Sequence, residues 1–76
     1  MNNNRRKRIQ KVFDSIMDLR SQIEEIRDEE QEAFDNMPES FQEGEKGEMS
    51  QNAIDNLDSA LSDMDSLEDS LQEAMQ

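Results

Sequence analysis

Two stretches of apolar residues recurring at alternating steps of three and four, separated by the only proline and both glycines of the chain, constrain the fold most tightly. In the first stretch, Ile9, Val12, Ile16, Leu19, Ile23 and Ile26 follow the seven-residue repeat of a coiled-coil seam. The same register continues through Glu30, Ala33 and Met37, so one seam position is a carboxylate. This spacing predicts a helix from about residue 5 to about residue 36. In the second stretch a degenerate heptad places Ala53, Leu57, Ala60, Met64, Leu67, Leu71 and Ala74 on one seam, with Ile54, Leu61 and Met75 beside it. A second helix is predicted there, from about residue 48 to about residue 75.

Pro38, Gly44 and Gly47 mark a connector over about residues 37–47, because proline disfavours helical geometry in the residue before it. Ser40 and Glu43 have the spacing of a capping box, which suggests a short helical turn or an early start of the next helix. Phe41 is expected to pin the connector onto the end of the helices, and Asn2, Asn3 and Asn4 to form a frayed terminus. At a rise of about 1.5 Å per residue the helices are of matched length, roughly 45 Å each. The expected fold is therefore all-α, an antiparallel two-helix hairpin forming one domain over residues 1–76.

Such a hairpin has little core to enclose. The chain is 32% hydrophobic, its three aromatic residues are all Phe, and it has no Cys for a disulfide. Phe13 and Phe34, with Ile54, Leu61 and Met75, widen the apolar stripe beyond what one neighbouring helix covers. Two copies are accordingly expected to associate as a homodimer, a four-helix bundle, with docking of one chain onto a partner as the alternative.

Charge is sharply polarised. Residues 1–13 carry Arg5, Arg6, Lys7, Arg8 and Lys11 and no acid, a net +5; the remainder sets 20 acids against Arg20, Arg27 and Lys46, a net −17. In an antiparallel hairpin the basic start lies near Glu68, Asp69 and Glu73, which are expected to balance it. The same arm, Arg5 to Arg8, has the chemistry to contact phosphate, but an overall −12 opposes a polyanion as the main ligand, so direct nucleic-acid binding is not expected.

From Glu48 onward there are eight acids and no Lys or Arg, whereas ordinary surface helices mix signs. Asp28, Glu32 and Asp35 line one face of the first helix, and Asp55, Asp58, Asp65 and Asp69 are expected along the outward face of the second. Acids three or four apart stand about 5–6 Å from one another, a spacing suited to imitating DNA backbone charge. The competing reading is a solvated face that only maintains solubility.

Catalysis and cofactor binding have little to draw on. Without His or Cys the chain lacks the usual nucleophile–base pairs and zinc or haem ligands, and a thin bundle offers no pocket for a small-molecule substrate. A calcium loop begun at Asp35 would put Ser40 where glycine is required. No enzyme activity, metal or cofactor is expected. No apolar run approaches the length of a membrane span or a signal-peptide core, so no membrane association is expected and the cytoplasm is the expected location.

The segment Glu24 to Gln42, which includes Asp28-Glu29-Glu30-Gln31-Glu32-Ala33-Phe34-Asp35-Asn36-Met37-Pro38-Glu39-Ser40 and has Asn36-Met37-Pro38-Glu39-Ser40 as its most distinctive string, followed by a glycine-containing turn and Ala53-Ile54-Asp55-Asn56-Leu57, resembles a family of small acidic helical proteins encoded by bacteriophages and prophages. The resemblance implies a setting inside a bacterial host cell and brings no catalytic residues. Within it, Pro38 and Phe41 are candidate connector contacts, although a helix stop and capped restart, which Pro38 and Ser40 explain by themselves, is the favoured reading.

Three functional classes follow. The first is a phage-encoded interaction protein, an inhibitor resembling a DNA mimic, whose acidic surface occupies a basic site on a host or anti-phage defence protein. The second is a structural or scaffolding bundle. The third is a nucleic-acid accessory protein using its basic arm.

Overall fold

The computed structural model describes residues 1–76 and forms them into three helices, α1 (Asn3–Asp35), α2 (Glu39–Gln42) and α3 (Glu45–Ala74). α1 and α3 pack antiparallel into a slender hairpin with Cα extents of 58 × 15 × 11 Å. Contacts of Arg6 with Met75, Arg20 with Asp65 and Arg27 with Asp58 set their direction.

Each helix end has a local cause. Asn2 is not frayed: its Oδ1 accepts from the Arg5 backbone N–H at 2.8 Å and caps α1. α1 stops at Asp35 because Met37, preceding Pro38, cannot readily continue the helix. The connector is shorter than the breaker residues implied, since α2 occupies its middle and α3 begins at Glu45 rather than near residue 48. Ser40 lies inside α2, whose cap position is Pro38 with no side-chain bond, so the expected capping box does not form.

Gly47 explains the early start of α3. It is buried within the helix, where a Cβ would stand 2.0 Å from the Gln42 carbonyl oxygen. Removing the side chain lets the α2 backbone rest directly on α3. From that position Gln42 donates its Nε2–H to the Phe34 carbonyl oxygen at 2.9 Å, beside the Met37 backbone N–H that the same oxygen accepts at 3.1 Å, and so reaches the end of α1. The connector thus acts as a clamp, with backbone against α3 and side chain on α1.

The seam differs from the expected one at Val12, Leu19, Ile26 and Leu67. Ile9, Ile16 and Ile23 on α1 and Leu57, Met64 and Leu71 on α3 face inward as predicted. Their alternating partners are Phe13, Arg20, Arg27 and Phe34, and Ile54, Leu61, Glu68 and Met75. Val12, Leu19, Ile26 and Leu67, expected inside, are instead 52, 50, 54 and 46% exposed. Two heptad frames one residue apart share every second position; the observed frame half-buries Phe13 and Phe34 and brings Arg20 and Arg27 within reach of the acids on α3. Among the hydrophobic residues only Ile16 and Ile54 are buried, and only Ile54 fully so.

The clamp reverses the usual sign of a substitution. Alanine ordinarily stabilises a helical glycine position by up to about 1 kcal/mol, but Gly47→Ala is expected to destabilise the hairpin by about 1–3 kcal/mol. Gly44→Ala, whose Cβ would meet Ser40 O at 3.2 Å, is expected to have the smaller effect. Thermal unfolding followed by circular dichroism compares them, and an unchanged or raised midpoint for Gly47→Ala refutes the clamp.

Candidate functional site

The polar machinery of the hairpin centres on two arginines of α1. Arg20 donates through Nε to Glu68 Oε1 at 2.9 Å, pairs with Asp65, and lies 3.6 Å from Glu24. Its side chain and that of Glu68 are 17% and 14% exposed, so this bridge is partly desolvated. Arg27 donates through Nε to Asp58 Oδ1 at 2.8 Å and reaches Asp28 at 3.5 Å. Hydrogen bonding to Glu68 raises the Arg20 pKa above its ordinary value, and hydrogen bonding to Asp58 does the same for Arg27. Both guanidiniums stay charged throughout the ordinary pH range.

These pairs divide the expected acidic lines. Asp58 and Asp65 do not lie on a free outward face; they flank the seam and hold α1. Asp55 accepts from Gln51 at 3.1 Å and Asp35 from Gln31 at 3.0 Å, each on its own helix. Asp28 stays 76% exposed beside Arg27. Glu32 and Asp69 are exposed and form no side-chain hydrogen bond or ion pair. Ion pairs engage Glu24, Asp28, Asp58, Asp65 and Glu68, leaving fifteen of the 20 acids without a cation partner.

The basic arm is placed differently from expectation. From the Arg20–Asp65 pair, α1 runs back 17 residues to Asn3 while α3 runs forward only nine to Ala74, so the first turns of α1 extend past α3. Glu68, Asp69 and Glu73 therefore make no ion pair with the arm. Arg6 reaches back and donates through Nε to the Met75 carbonyl at 2.8 Å, a cation at a helix C-terminus that has no basic residue of its own. Arg5, Lys7 and Arg8 are exposed and unpaired.

The two broad faces of the hairpin differ in chemistry. One carries Glu24, Asp58 and Asp65 with the arginine bridges. The other carries Val12, Leu19, Ile26 and Leu67, each one residue before an inward position, together with Ala53 and Ala60. Two shallow grooves indent this apolar face. The first is lined by Met1, Arg5, Arg8, Ile9, Val12 and Leu71, the second by Glu30, Met37, Lys46, Met49, Ser50 and Ala53. Beside the second, the Lys46 ammonium lies 5.4 Å from the Phe41 ring centroid. Phe41 itself is 49% exposed, and Pro38 is exposed as well.

No three carboxylates converge into a group able to hold a metal ion, and no helix is long and apolar enough to cross a membrane. Comparison with protein-family models, curated proteins and solved structures finds no match. The interacting residues that the sequence reading passed over are Arg20, Arg27, Gln42 and Gly47. A signal for the first two was present: Phe13, Arg20, Arg27 and Phe34 are spaced seven apart, a second seam with two cations in its centre.

Since Arg20 anchors three acids, Arg20→Gln is expected to lower the thermal midpoint more than Arg27→Gln does. Adding Glu68→Gln to Arg20→Gln is expected to recover part of the loss, because it removes a carboxylate left without its cation. Strictly additive losses in that double-mutant cycle would show that the two side chains are not coupled.

Proposed function

We propose that this chain is a phage-encoded, non-enzymatic interaction protein whose acidic helical surface occupies a basic, nucleic-acid-binding site on a host or anti-phage defence protein, acting as an inhibitor in the manner of a DNA mimic. The cytoplasm of the bacterial host is the proposed location. The observation that carries this reading is the set of fifteen acids without a cation partner. Residues 20–65 hold 15 acids and three cations, so the whole net charge of −12 sits on the connector-side part of the hairpin. A surface that tolerates this self-repulsion is complemented by a basic partner. The unpaired Glu32, Asp35, Asp55 and Asp69, with Asp28, which stays 76% exposed beside Arg27, are the acids proposed to face it, while Asp58 and Asp65 hold the hairpin together.

A structural reading has its own support in the exposed apolar face. Half-exposed Val12, Leu19, Ile26 and Leu67 on a hairpin with two enclosed hydrophobic residues favour self-association into a four-helix bundle. The two readings are compatible, because a homodimer that buries this face leaves most of the acids outside.

The test neutralises the five proposed contact acids together, as Asp28→Asn, Glu32→Gln, Asp35→Asn, Asp55→Asn and Asp69→Asn, and titrates both proteins against purified basic nucleic-acid-binding proteins of a bacterial host. The unaltered chain is expected to bind at least one of them, to be displaced by duplex DNA and to weaken with salt. The neutralised chain is expected to lose about tenfold or more in affinity with its helicity unchanged. Binding that survives neutralisation and high salt, or no binding by the unaltered chain, overturns the acidic-mimic reading.

A further inference from the structure

We infer that the apolar broad face is the interface of a two-fold symmetric homodimer in which two hairpins stack with their ends reversed, α1 on α1 and α3 on α3 of the second copy. The inference rests on the self-association reading above and adds the face, the orientation and the pairing.

Area is the first argument. The hairpin measures 58 Å by 15 Å across its broad face in Cα extent. Covering that face buries on the order of 800 Å² per copy, the size of a standard stable interface. The second argument is self-complementarity, which a two-fold contact requires. Val12, Leu19 and Ile26 are spaced seven apart along α1. Reversal about Leu19 brings Leu19 onto its own counterpart and Val12 onto Ile26 of the second copy.

Charge chooses between the two possible orientations. The two-fold axis can run along the hairpin, stacking like ends, or across it, stacking opposite ends. With like ends together, two segments of −12 lie side by side, each comprising residues 20–65. With ends reversed, each lies against residues 1–19 and 66–76, whose formal charges cancel. The groove rimmed by Arg5 and Arg8 then meets the groove that contains Glu30. Arg8, eleven residues before Leu19, comes opposite Glu29, ten residues after it, and both are exposed and unpaired within the chain. Arginines left unpaired by the overhang of α1 thus gain carboxylates from the second copy.

The chain contains no cysteine, so single substitutions report contacts directly. Sedimentation is expected to show a dimer, and Leu19→Cys is expected to form a disulfide-linked dimer on mild oxidation. A mixture of Leu19→Cys and Leu67→Cys chains is expected to give little cross-linking between different chains, because that contact belongs to the like-ended arrangement. Arg8→Glu is expected to weaken dimerisation roughly tenfold, and adding Glu29→Arg to restore it, with helicity unchanged throughout. A monomer at all concentrations overturns self-association itself. A dimer linked through Leu19 and Leu67, or one indifferent to the charge exchange, overturns the reversed arrangement while leaving self-association standing.

Discussion

The bridge from Arg20 to Glu68 and Asp65 determines how the two long helices face each other. A chain with so few apolar residues can bury one of two neighbouring heptad frames, and burial of hydrocarbon alone does not separate them decisively. The frame with Val12, Leu19 and Ile26 inside is the more aliphatic, yet it turns the guanidiniums away from α3. In the observed frame the arginine stems lie along the seam while their heads reach Glu68, Asp65 and Asp58 on the opposite helix. Charge-assisted bonds on a partly desolvated seam outweigh the difference in aliphatic area.

That choice accounts for what could be read from the residues and what could not. Two helices, their antiparallel pairing and a break at Pro38 follow from periodicity and backbone chemistry, and all three are present. Ile9, Ile16, Ile23, Leu57, Met64 and Leu71 were legible because they belong to both frames. Val12, Leu19, Ile26 and Leu67 were not, since hydropathy ranks Arg20 and Arg27 as surface residues and cannot see a carboxylate waiting across the seam. Gly47 was read as a breaker because glycine usually is one. Its role depends on the backbone of Gln42 approaching from outside the helix, a contact that no local pattern encodes. The acidic lines suffered the same way: spacing placed Asp58 and Asp65 on a helix, but only the register made them structural rather than free.

Consumption of acids by the fold is small beside their supply. Five carboxylates engage the two central arginines, and Arg6 directs its guanidinium to the Met75 carbonyl at the end of α3 and to Asn3 Oδ1 instead of to a carboxylate. The remaining negative charge is not needed for pairing and opposes compaction of a thin hairpin. Solubility alone calls for far less than −12 on 76 residues. An excess of this size, gathered toward one end of the molecule, is a property of the surface rather than of the fold, and it is the reason the functional reading rests on complementarity to a basic partner.

The apolar face and the acidic surface are linked through geometry. Shifting the seam by one residue exposes a continuous aliphatic stripe on one broad face and gathers the bridges on the other. Covering the stripe with a second copy would double the core without touching Glu32, Asp55 or Asp69, and would present acids on both outer sides of a rod. Reversed ends would also distribute the charge, giving each half of the rod one acidic segment and one basic arm. The arginines at the seam that make a single hairpin polar on one side therefore leave the other side free to pair, so the stability of the bundle and the exposure of its acids have a common origin in the heptad frame.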